Sequence, residues 1–315
     1  MTDTSSLMTD KYSRRITDVR IALNSVCNLH CIYCHHEGEL INGCERYERS
    51  AGVSAEEIAE ILQVLGDLGV QTVKLTGGEP TLREDITDII RSVPGGIEVS
   101  MTTNGTRLKN LAGELKKAGL SRVNISIDSL RRDRYAAITG RDLLSDVLEG
   151  LTAAREAGLT PIKINTVLLP GINDDEIADF LALVRGQDDL ILQFIELMDM
   201  NGWTDTLQNG TENAGFVSAL EERFRTEAEI VETRRMHHRR KYNLNGAVVE
   251  IVRPMHNPEF CANCNRLRIT SDGKLKPCLL RTGNEVSIRG LHGDELIAAV
   301  TQAVSNRSPY FTEEV

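Results

Sequence analysis

The chain has 315 residues, of which 41% are hydrophobic and 26% are charged; this balance is typical of a globular protein and excludes a disordered or fibrous chain. The formal net charge of −10 disfavours nucleic acid and anionic membranes as partners, because both repel a negatively charged surface. Residues 1–12 lack the apolar run of a signal peptide, and no segment is long enough to span a membrane, so we expect a cytoplasmic protein.

Between residues 18 and 198, apolar strands alternate with amphipathic helices. The predicted strands, rich in Val and Ile, lie at 19–23, 72–76, 97–102, 122–127, 162–168 and 190–197. The predicted helices lie at 54–68, 83–92, 108–118, 143–157 and 174–184, and several end just before a glycine that suits a left-handed cap. Strand and helix in this repeated order predict a parallel sheet wrapped by helices.

Polar or glycine-rich residues follow one predicted strand after another, at 77–80, 102–105, 128–129 and 198–199. If the sheet curves toward a barrel, these strand ends meet on one face, which is where such folds place their active site. The pattern therefore favours a partial barrel of six strand–helix units over an open doubly wound sheet.

Beyond residue 201 the alternation stops. We predict a helix at 217–224, an apolar strand at 247–252 and a last helix at 293–305. The basic run at 234–240 is interpreted as a solvated hairpin, because charge runs usually lie on the surface; a phosphate-binding patch is the alternative.

Six of the seven cysteines fall into two triplets, which in a reducing compartment indicates metal binding rather than disulfides. The first triplet, Cys27, Cys31 and Cys34, has the spacing C-x3-C-x2-C directly after the first strand. Three thiolates can bind three irons of a [4Fe–4S] cluster and leave the fourth iron open for another molecule. Chance spacing and part of a zinc site are the alternatives, and Cys44 is interpreted as a bystander in a loop.

The second triplet has the spacing C-x2-C-x13-C and consists of Cys261, Cys264 and Cys278. We expect a second open cluster here; the alternative is a zinc site, which takes four protein ligands and would need His256 as the fourth. Arg266 and Arg268 follow at strand spacing, which would aim both guanidinium groups to one side, where they suit a polyphosphate. A salt-bridged surface strand is the other interpretation of these two arginines.

Gly77 and Gly78 begin a Gly-Gly-Glu-Pro turn after the second strand, where they allow a ligand to approach backbone N–H groups. This turn and the first triplet resemble the radical S-adenosylmethionine (SAM) superfamily, in which SAM chelates the open iron and such a turn binds its methionyl part. The motifs together are most similar to the GTP 3′,8-cyclase family. The segment Cys34-His35-His36-Glu37-Gly38, together with the two departures described below, resembles the archaeal branch of that family. The resemblance covers nearly the whole chain, at 18–34, 74–80, 101–105, 124–130, 137–140, 163–167, 194–199 and 260–279.

The resemblance implies a partial (β/α)6 barrel over residues 1–200 and a C-terminal portion, residues 201–315, that closes the barrel and carries the second [4Fe–4S] cluster and the substrate. The implied SAM contacts are Tyr33, Gly78, Ser126 and Met198. The implied GTP contacts are Arg20, Lys74, Thr102, Lys163, Arg266, Leu267 and Arg268.

The resemblance also implies a reaction, the first step of molybdenum cofactor biosynthesis. A 5′-deoxyadenosyl radical derived from SAM abstracts the ribose 3′ hydrogen of GTP, and the resulting C3′ radical attacks C8 of the guanine. Reduction of this adduct, by one electron with uptake of one proton, gives (8S)-3′,8-cyclo-7,8-dihydroguanosine 5′-triphosphate. The implied partners are an electron donor such as ferredoxin or flavodoxin, the downstream cyclic pyranopterin monophosphate synthase, and a second copy of the chain in a homodimer.

One residue and the C-terminal segment depart from the pattern of many family members. Gln193 stands where many have Arg, and the chain ends at 308–315 without the Gly-Gly tail that often reaches the active site. The alternative enzyme is a sibling radical SAM catalyst that acts on another nucleotide or on a peptide. The alternative from another class is a non-catalytic metal-binding scaffold.

Overall fold

The computed structural model describes residues 7–38, 52–198, 210–234, 236–255 and 257–310. Cys44 and His256 lie outside these ranges, and so do the predictions made for them. None of the helices in the described ranges combines the length and the apolar character needed to cross a membrane.

The described residues form twelve strands: β1 (Asp18–Ala22), β2 (Thr72–Thr76), β3 (Glu98–Thr103), β4 (Arg122–Ser126), β5 (Ile162–Leu168), β6 (Leu190–Glu196), β7 (Glu229–Thr233), β8 (Arg240–Leu244), β9 (Ala247–Val252), β10 (Arg266–Ile269), β11 (Lys274–Lys276) and β12 (Val286–Ser287). They join in one sheet, in the order β12-β11-β10-β1-β2-β3-β4-β5-β6-β9-β8-β7. The six strands predicted in the first part of the sequence are all present, and they pair in parallel in chain order.

The helices are α1 (Ala55–Asp67), α2 (Ile86–Arg91), α3 (Leu108–Ala118), α4 (Arg132–Thr139), α5 (Leu144–Glu156), α6 (Ile177–Val184), α7 (Gly210–Glu227), α8 (Pro258–Ala262) and α9 (Gly293–Ser305). Helix α1 begins with a capping box, in which Ser54 Oγ accepts from Glu57 N and the Glu57 carboxylate accepts from Ser54 N. The helices predicted at 83–92 and 174–184 are shorter, because their first residues form 3-10 or turn structure. Helix α4, absent from the prediction, buries only Tyr135, Ile138 and Thr139 and so has a weak apolar pattern.

The residues that the structure describes beyond 201 do not form a separate sheet; their strands extend the first sheet at both edges. Strand β9 pairs in parallel with β6, and β10 pairs in parallel with β1. Two antiparallel pairs, β7–β8 and β11–β12, complete the ends. Strands from both sides of residue 200 thus belong to one sheet. The division into two domains at this residue stays a prediction.

The two faces of the sheet differ in chemistry because side chains alternate along each strand. The face that packs under the helices is apolar and includes Val19, Val73, Val99, Val123, Ile164 and Leu192. The other face carries polar and charged side chains, among them Arg20, Thr102, Asn124, Asn165, Gln193 and Arg268, and all six line one cavity. A flat sheet could not bring β10 and β6 to the same cavity across five intervening strands. The sheet therefore curves, and the predicted partial barrel is confirmed.

Candidate active site

The cavity has a volume of about 450 Å³ and lies at the carboxyl ends of the parallel strands. Both cysteine triplets line it: Cys27, Cys31, Cys34, Cys261, Cys264 and Cys278. All six are half-buried free thiols. Two sets of ligands far apart in sequence thus face one enclosed space.

The first triplet lies on the loop that follows β1. Cys27 Sγ accepts a hydrogen bond from Leu29 N at 3.4 Å, and Cys34 N donates to Cys31 O at 3.1 Å, so the loop turns back on itself. Burial raises the pKa of Cys27 to about 11 and that of Cys31 well above its ordinary value. The free thiols are therefore neutral near pH 7, and metal binding has to displace their protons.

The Gly-Gly-Glu-Pro turn packs directly against the backbone that leads into Cys27. Gly78 N donates to Asn24 O and Glu79 N donates to Val26 O, both at 2.8 Å. A Cβ atom on Gly78 would lie 2.2 Å from Val26 O. Only glycine fits at this position, because two segments of main chain meet there. The sequence suggests a different reason for the glycine, namely the close approach of a ligand.

The carboxylate of Glu79 ties this turn to the end of β3. It is buried and accepts four hydrogen bonds: from Thr81 N at 3.0 Å, Thr81 Oγ1 at 2.5 Å, Thr103 Oγ1 at 2.7 Å and Asn104 N at 2.7 Å. Burial raises the pKa of Glu79. Glu79 thus has a structural role that the sequence alone did not reveal.

The four residues predicted to contact SAM all line the cavity: Tyr33, Gly78, Ser126 and Met198. The Tyr33 hydroxyl donates to Asp128 Oδ2 at 2.5 Å, and Asp128 Oδ1 accepts from Val167 N at 2.9 Å. Burial raises the pKa of Asp128 to about 6, although the hydrogen bond from Tyr33 opposes this rise. The structure brings the four residues together, and their contact with SAM stays a prediction.

The second triplet is braced by both ends of the chain. Cys264 N donates to Cys261 O at 3.1 Å. Arg14 donates to Cys261 O at 2.9 Å and Arg307 to Cys264 O at 2.6 Å, and the Asp10 carboxylate binds both guanidinium groups. Burial alone would raise the pKa of Cys264, but the positive charge of Arg307 brings it below its ordinary value. This charge favours a thiolate at the second triplet.

Three arginines, Arg20, Arg266 and Arg268, line the cavity and are called the arginine wall below. Arg20 and Arg268 both pair with Glu37, at 3.5 and 3.0 Å, and Arg266 pairs with Asp18. Burial alone would raise the pKa of Glu37, but the two guanidinium groups lower it to about 2. The alternative of a salt-bridged surface strand is correct about the ion pairs of Arg266 and Arg268. It is wrong about the location, because their strand β10 lies inside the sheet between β1 and β11.

Four of the seven residues predicted to contact GTP line the cavity: Arg20, Thr102, Arg266 and Arg268. The other three are not among its described lining residues. Lys163 is 6% exposed and its ammonium group pairs with Glu250 at 2.6 Å. The Leu267 side chain is fully buried in the core, because strand alternation turns it away from the arginines beside it. Lys74 is in register with Arg20 on the neighbouring strand, and burial holds its pKa well below the ordinary value.

Several cavity residues were not predicted as site residues. Gln193 Nε2 donates to Asn165 Oδ1 at 3.1 Å, and Gln193 Oε1 accepts from Arg239 at 3.1 Å. His237 is buried and its ring stacks on Phe260 with centroids 3.7 Å apart. The solvated-hairpin interpretation of the basic run is therefore wrong for Arg239 and His237, because both line the cavity, although His238 between them is exposed to solvent.

The cavity surface has polar groups that are available to a ligand. Thr102 Oγ1 and Asn124 Oδ1 are buried and have no hydrogen-bond partner among the described residues. In the described part of the chain, no three His, Cys, Asp or Glu side chains approach closely enough to hold a single metal ion. A four-iron cluster is larger than one ion and holds its thiolates around separate corners, so three half-buried free thiols on one short segment fit it.

A curved α/β sheet with a cysteine triplet after its first strand and a Gly-Gly-Glu-Pro turn after its second defines a class of enzymes that use SAM. The family model described as Radical SAM superfamily matches residues 21–184, and the model described as Molybdenum Cofactor Synthesis C matches residues 190–313. The chain belongs to the radical SAM superfamily, and it therefore uses SAM and a [4Fe–4S] cluster.

The curated relatives identify the branch. A protein of Methanocella arvoryzae named Probable GTP 3′,8-cyclase is 47% identical over 98% of this chain and 96% of its own length. One of Archaeoglobus fulgidus with the same name is 44% identical over 97% of this chain and 99% of its own length. Within the superfamily, the chain thus belongs to the same family as these archaeal proteins.

Solved structures show the same fold at low sequence identity. Streptococcus suis SuiB bound to precursor peptide SuiA matches with a TM-score of 0.61 and 18% identity, over 92% of this chain and 66% of SuiB. Native anSMEcpe with bound AdoMet matches with a TM-score of 0.58 and 18% identity, over 90% of this chain and 81% of that protein. Both proteins therefore share the fold of this chain, whose superfamily the matching family model shows.

Proposed function

We propose that this protein is a GTP 3′,8-cyclase, which joins C3′ of the ribose of GTP to C8 of the guanine in the first step of molybdenum cofactor biosynthesis. One observation carries the proposal: two cysteine triplets and three arginines face a single cavity. The relatives at 47% and 44% identity over nearly the full length support the same activity.

In this proposal, Cys27, Cys31 and Cys34 hold the cluster that binds SAM, and the second triplet holds another cluster beside the substrate. When bound, the first cluster and SAM supply the radical that removes the 3′ hydrogen of GTP. The residues Tyr33, Gly78, Ser126 and Met198 line the adjoining wall and orient SAM. Enclosure by the curved sheet excludes water from the reactive groups.

The arginine wall binds the triphosphate. In the structure, Glu37 pairs with Arg20 and Arg268, and Asp18 pairs with Arg266, so two carboxylates offset part of the charge of the three arginines. A triphosphate carries more negative charge than the two carboxylates, and guanidinium groups bind phosphate oxygens in pairs, so GTP can replace or share these contacts. Thr102 Oγ1 and Asn124 Oδ1, which lack partners among the described residues, offer hydrogen bonds to the nucleoside.

The proposal is tested by anaerobic incubation of the cluster-loaded protein with SAM, dithionite and GTP. We expect 5′-deoxyadenosine together with a product that has the mass of GTP but a different chromatographic mobility. The hydrogen atom lost from C3′ is replaced when the cyclised radical takes one electron from the reductant and one proton, so the elemental composition is unchanged. ATP in place of GTP is the control. Equal turnover with ATP, or turnover only when a peptide is added, would instead assign the chain to a sibling activity.

We also propose the partners that this reaction needs. Reduction of the cluster requires a low-potential electron donor such as ferredoxin or flavodoxin, and the product passes to cyclic pyranopterin monophosphate synthase. A homodimer and a cytoplasmic location complete the proposal. Size measurement of the cluster-loaded protein in solution tests the homodimer.

A further inference from the structure

Arg239 belongs to the basic run, yet it does not lie at the surface location expected from sequence. It follows the turn Met236–His238 in the connection between β7 and β8. Its side chain is only 14% exposed, yet it lines the cavity. An arginine that is mostly buried and borders a cavity has a reason to be there other than solubility.

The connection that carries Arg239 is held in place on three sides. Arg234 N donates to Arg239 O at 2.7 Å across the base of the connection, and His237 N donates to Asn263 O at 3.0 Å in the segment of the second triplet. The ring of His237 stacks on Phe260 at an interplanar angle of 7°. Arg239 is therefore positioned by structure formed around the site, and its backbone is not a loose surface loop.

The contacts of the Arg239 guanidinium leave it incompletely satisfied. Its Nη1 donates to Gln193 Oε1 at 3.1 Å and lies 3.6 Å from Glu250 Oε2. Its Nε is buried and has no hydrogen-bond partner among the described residues. Glu250 does not neutralise it alone, because the same carboxylate also pairs with Lys163 at 2.6 Å and Arg234 at 2.9 Å.

Charge also links Arg239 to the arginine wall across the cavity. Arg239 and Arg266 line the same cavity. Burial lowers the pKa of Arg239, the charge of Glu250 opposes this, and the positive charge of Arg266 lowers it further. Arg20, Arg266 and Arg268 approach the cavity from β1 and β10, whereas Arg239 approaches from the β6 side, beside Gln193. An anion in the cavity would have guanidinium groups on both sides.

We propose that Arg239 binds the phosphate chain of the substrate, opposite Arg20, Arg266 and Arg268, and supplies at the β6 edge the positive charge that Gln193 lacks. This inference rests on the proposed function for the identity of the nucleotide, but its own claim concerns polyphosphate. Gln193 then acts as a positioning residue, because its Oε1 accepts from Arg239 and its Nε2 is fixed by Asn165.

The chain offers a matched control. Arg234 pairs with the same Glu250 carboxylate at 2.9 Å, but it is not among the described residues that line the cavity. Arg239→Gln and Arg234→Gln each remove one positive charge from Glu250. Only Arg239→Gln removes a donor from the cavity. Arg239→Lys keeps the charge but loses the paired geometry of guanidinium.

The test measures equilibrium binding of GTP, guanosine, ATP and inorganic tripolyphosphate to the anaerobic, cluster-loaded protein, without reductant so that no turnover occurs. In Arg239→Gln we expect GTP and tripolyphosphate to bind roughly 10- to 100-fold more weakly, the range for a lost hydrogen bond to a charged group. Guanosine should stay within about twofold, because it has no phosphate to lose a contact. Arg234→Gln should bind all four ligands with affinities within about threefold of wild type. The affinity of Arg239→Lys for GTP and tripolyphosphate should lie between those of wild type and Arg239→Gln.

Equal losses in Arg239→Gln and Arg234→Gln would overturn the inference, since both would then act through Glu250. The inference would also be overturned if Arg239→Gln lost affinity for guanosine and GTP equally, or lost no affinity for either. If the wild-type protein binds tripolyphosphate and ATP but not GTP, and Arg239→Gln weakens both, the inference stands and the proposed function fails. If the wild type binds GTP and Arg239→Gln binds it equally well, the inference alone fails.

Discussion

The contact between the Gly-Gly-Glu-Pro turn and the segment before Cys27 provides a sharp test of how the fold holds the first triplet. In Gly78→Ala, the new Cβ would lie 2.2 Å from Val26 O and 2.4 Å from Val26 C. Both sides of this contact are main chain, so no side-chain rotation can relieve the clash. The segments must separate, which disrupts the hydrogen bonds from Gly78 N to Asn24 O and from Glu79 N to Val26 O.

The expected effect is large. Overpacking of this kind destabilises a protein by roughly 1–3 kcal/mol, and each lost hydrogen bond contributes about 1 kcal/mol. We therefore expect Gly78→Ala to lower the free energy of unfolding by roughly 3–5 kcal/mol. Because Cys27 directly follows Val26, the displaced backbone also moves a thiol of the first triplet, and metal affinity there should fall roughly 10- to 100-fold.

The assay is urea unfolding under anaerobic conditions, with iron and sulfide content measured on the same samples. Gly113→Ala in α3 is the control, because a Cβ there meets nothing within 4 Å. That variant should be more stable than wild type by up to about 1 kcal/mol, since alanine favours helix over glycine. If Gly78→Ala unfolds at the same urea concentration as wild type and keeps its iron, the close packing described for this turn is incorrect.

Three further predictions concern buried charges. Glu37→Gln removes the carboxylate that competes with a bound anion for two arginines, and GTP should bind roughly 3- to 10-fold more tightly; weaker binding in a titration would contradict this. Glu250→Gln removes the carboxylate that pairs with Lys163, Arg234 and Arg239. The free energy of unfolding, measured in urea, should fall by roughly 3–5 kcal/mol, and an unchanged midpoint would refute this role of Glu250. The pKa of Asp128 is raised to about 6 from an ordinary 3.8, so between these pH values the folded state binds more protons and stability falls as pH rises. The Tyr33 hydrogen bond opposes the rise of this pKa, so Tyr33→Phe should raise the pKa further and extend the loss of stability to higher pH. Unfolding midpoints measured from about pH 5 to 8 test this, and a pH dependence equal to that of wild type would show that the hydrogen bond has no such effect.

Much of the fold followed from sequence because strands β1 to β6 are short and apolar on one face, and most of them are followed by an amphipathic helix. Strand β1 illustrates this: Val19 and Ile21 face the core, whereas Arg20 faces the cavity. The same alternation, read at Arg266 and Arg268, correctly placed both on one side of a strand. It also explains why the Leu267 side chain between them faces the core.

The partners of the site residues could not be predicted in the same way. Glu250 lies on β9, which pairs with β6 only because the chain returns to the sheet edge after more than fifty residues, and no local pattern shows this pairing. Arg239 belongs to a run of charge whose composition indicates solvent exposure. Lys163 has the residue type expected of a phosphate contact, but its ion pair with Glu250 holds it below the cavity surface. These features depend on contacts between distant parts of the chain.

The most direct test of the proposed activity uses GTP deuterated at the ribose 3′ position. The cluster-loaded protein is incubated anaerobically with SAM, dithionite and this substrate, and 5′-deoxyadenosine is analysed by mass spectrometry. We predict one deuterium in the 5′-deoxyadenosine, because the hydrogen is taken from that carbon. Unlabelled 5′-deoxyadenosine, or none at all from protein with both clusters intact, would contradict the assignment of this cavity as a GTP 3′,8-cyclase site.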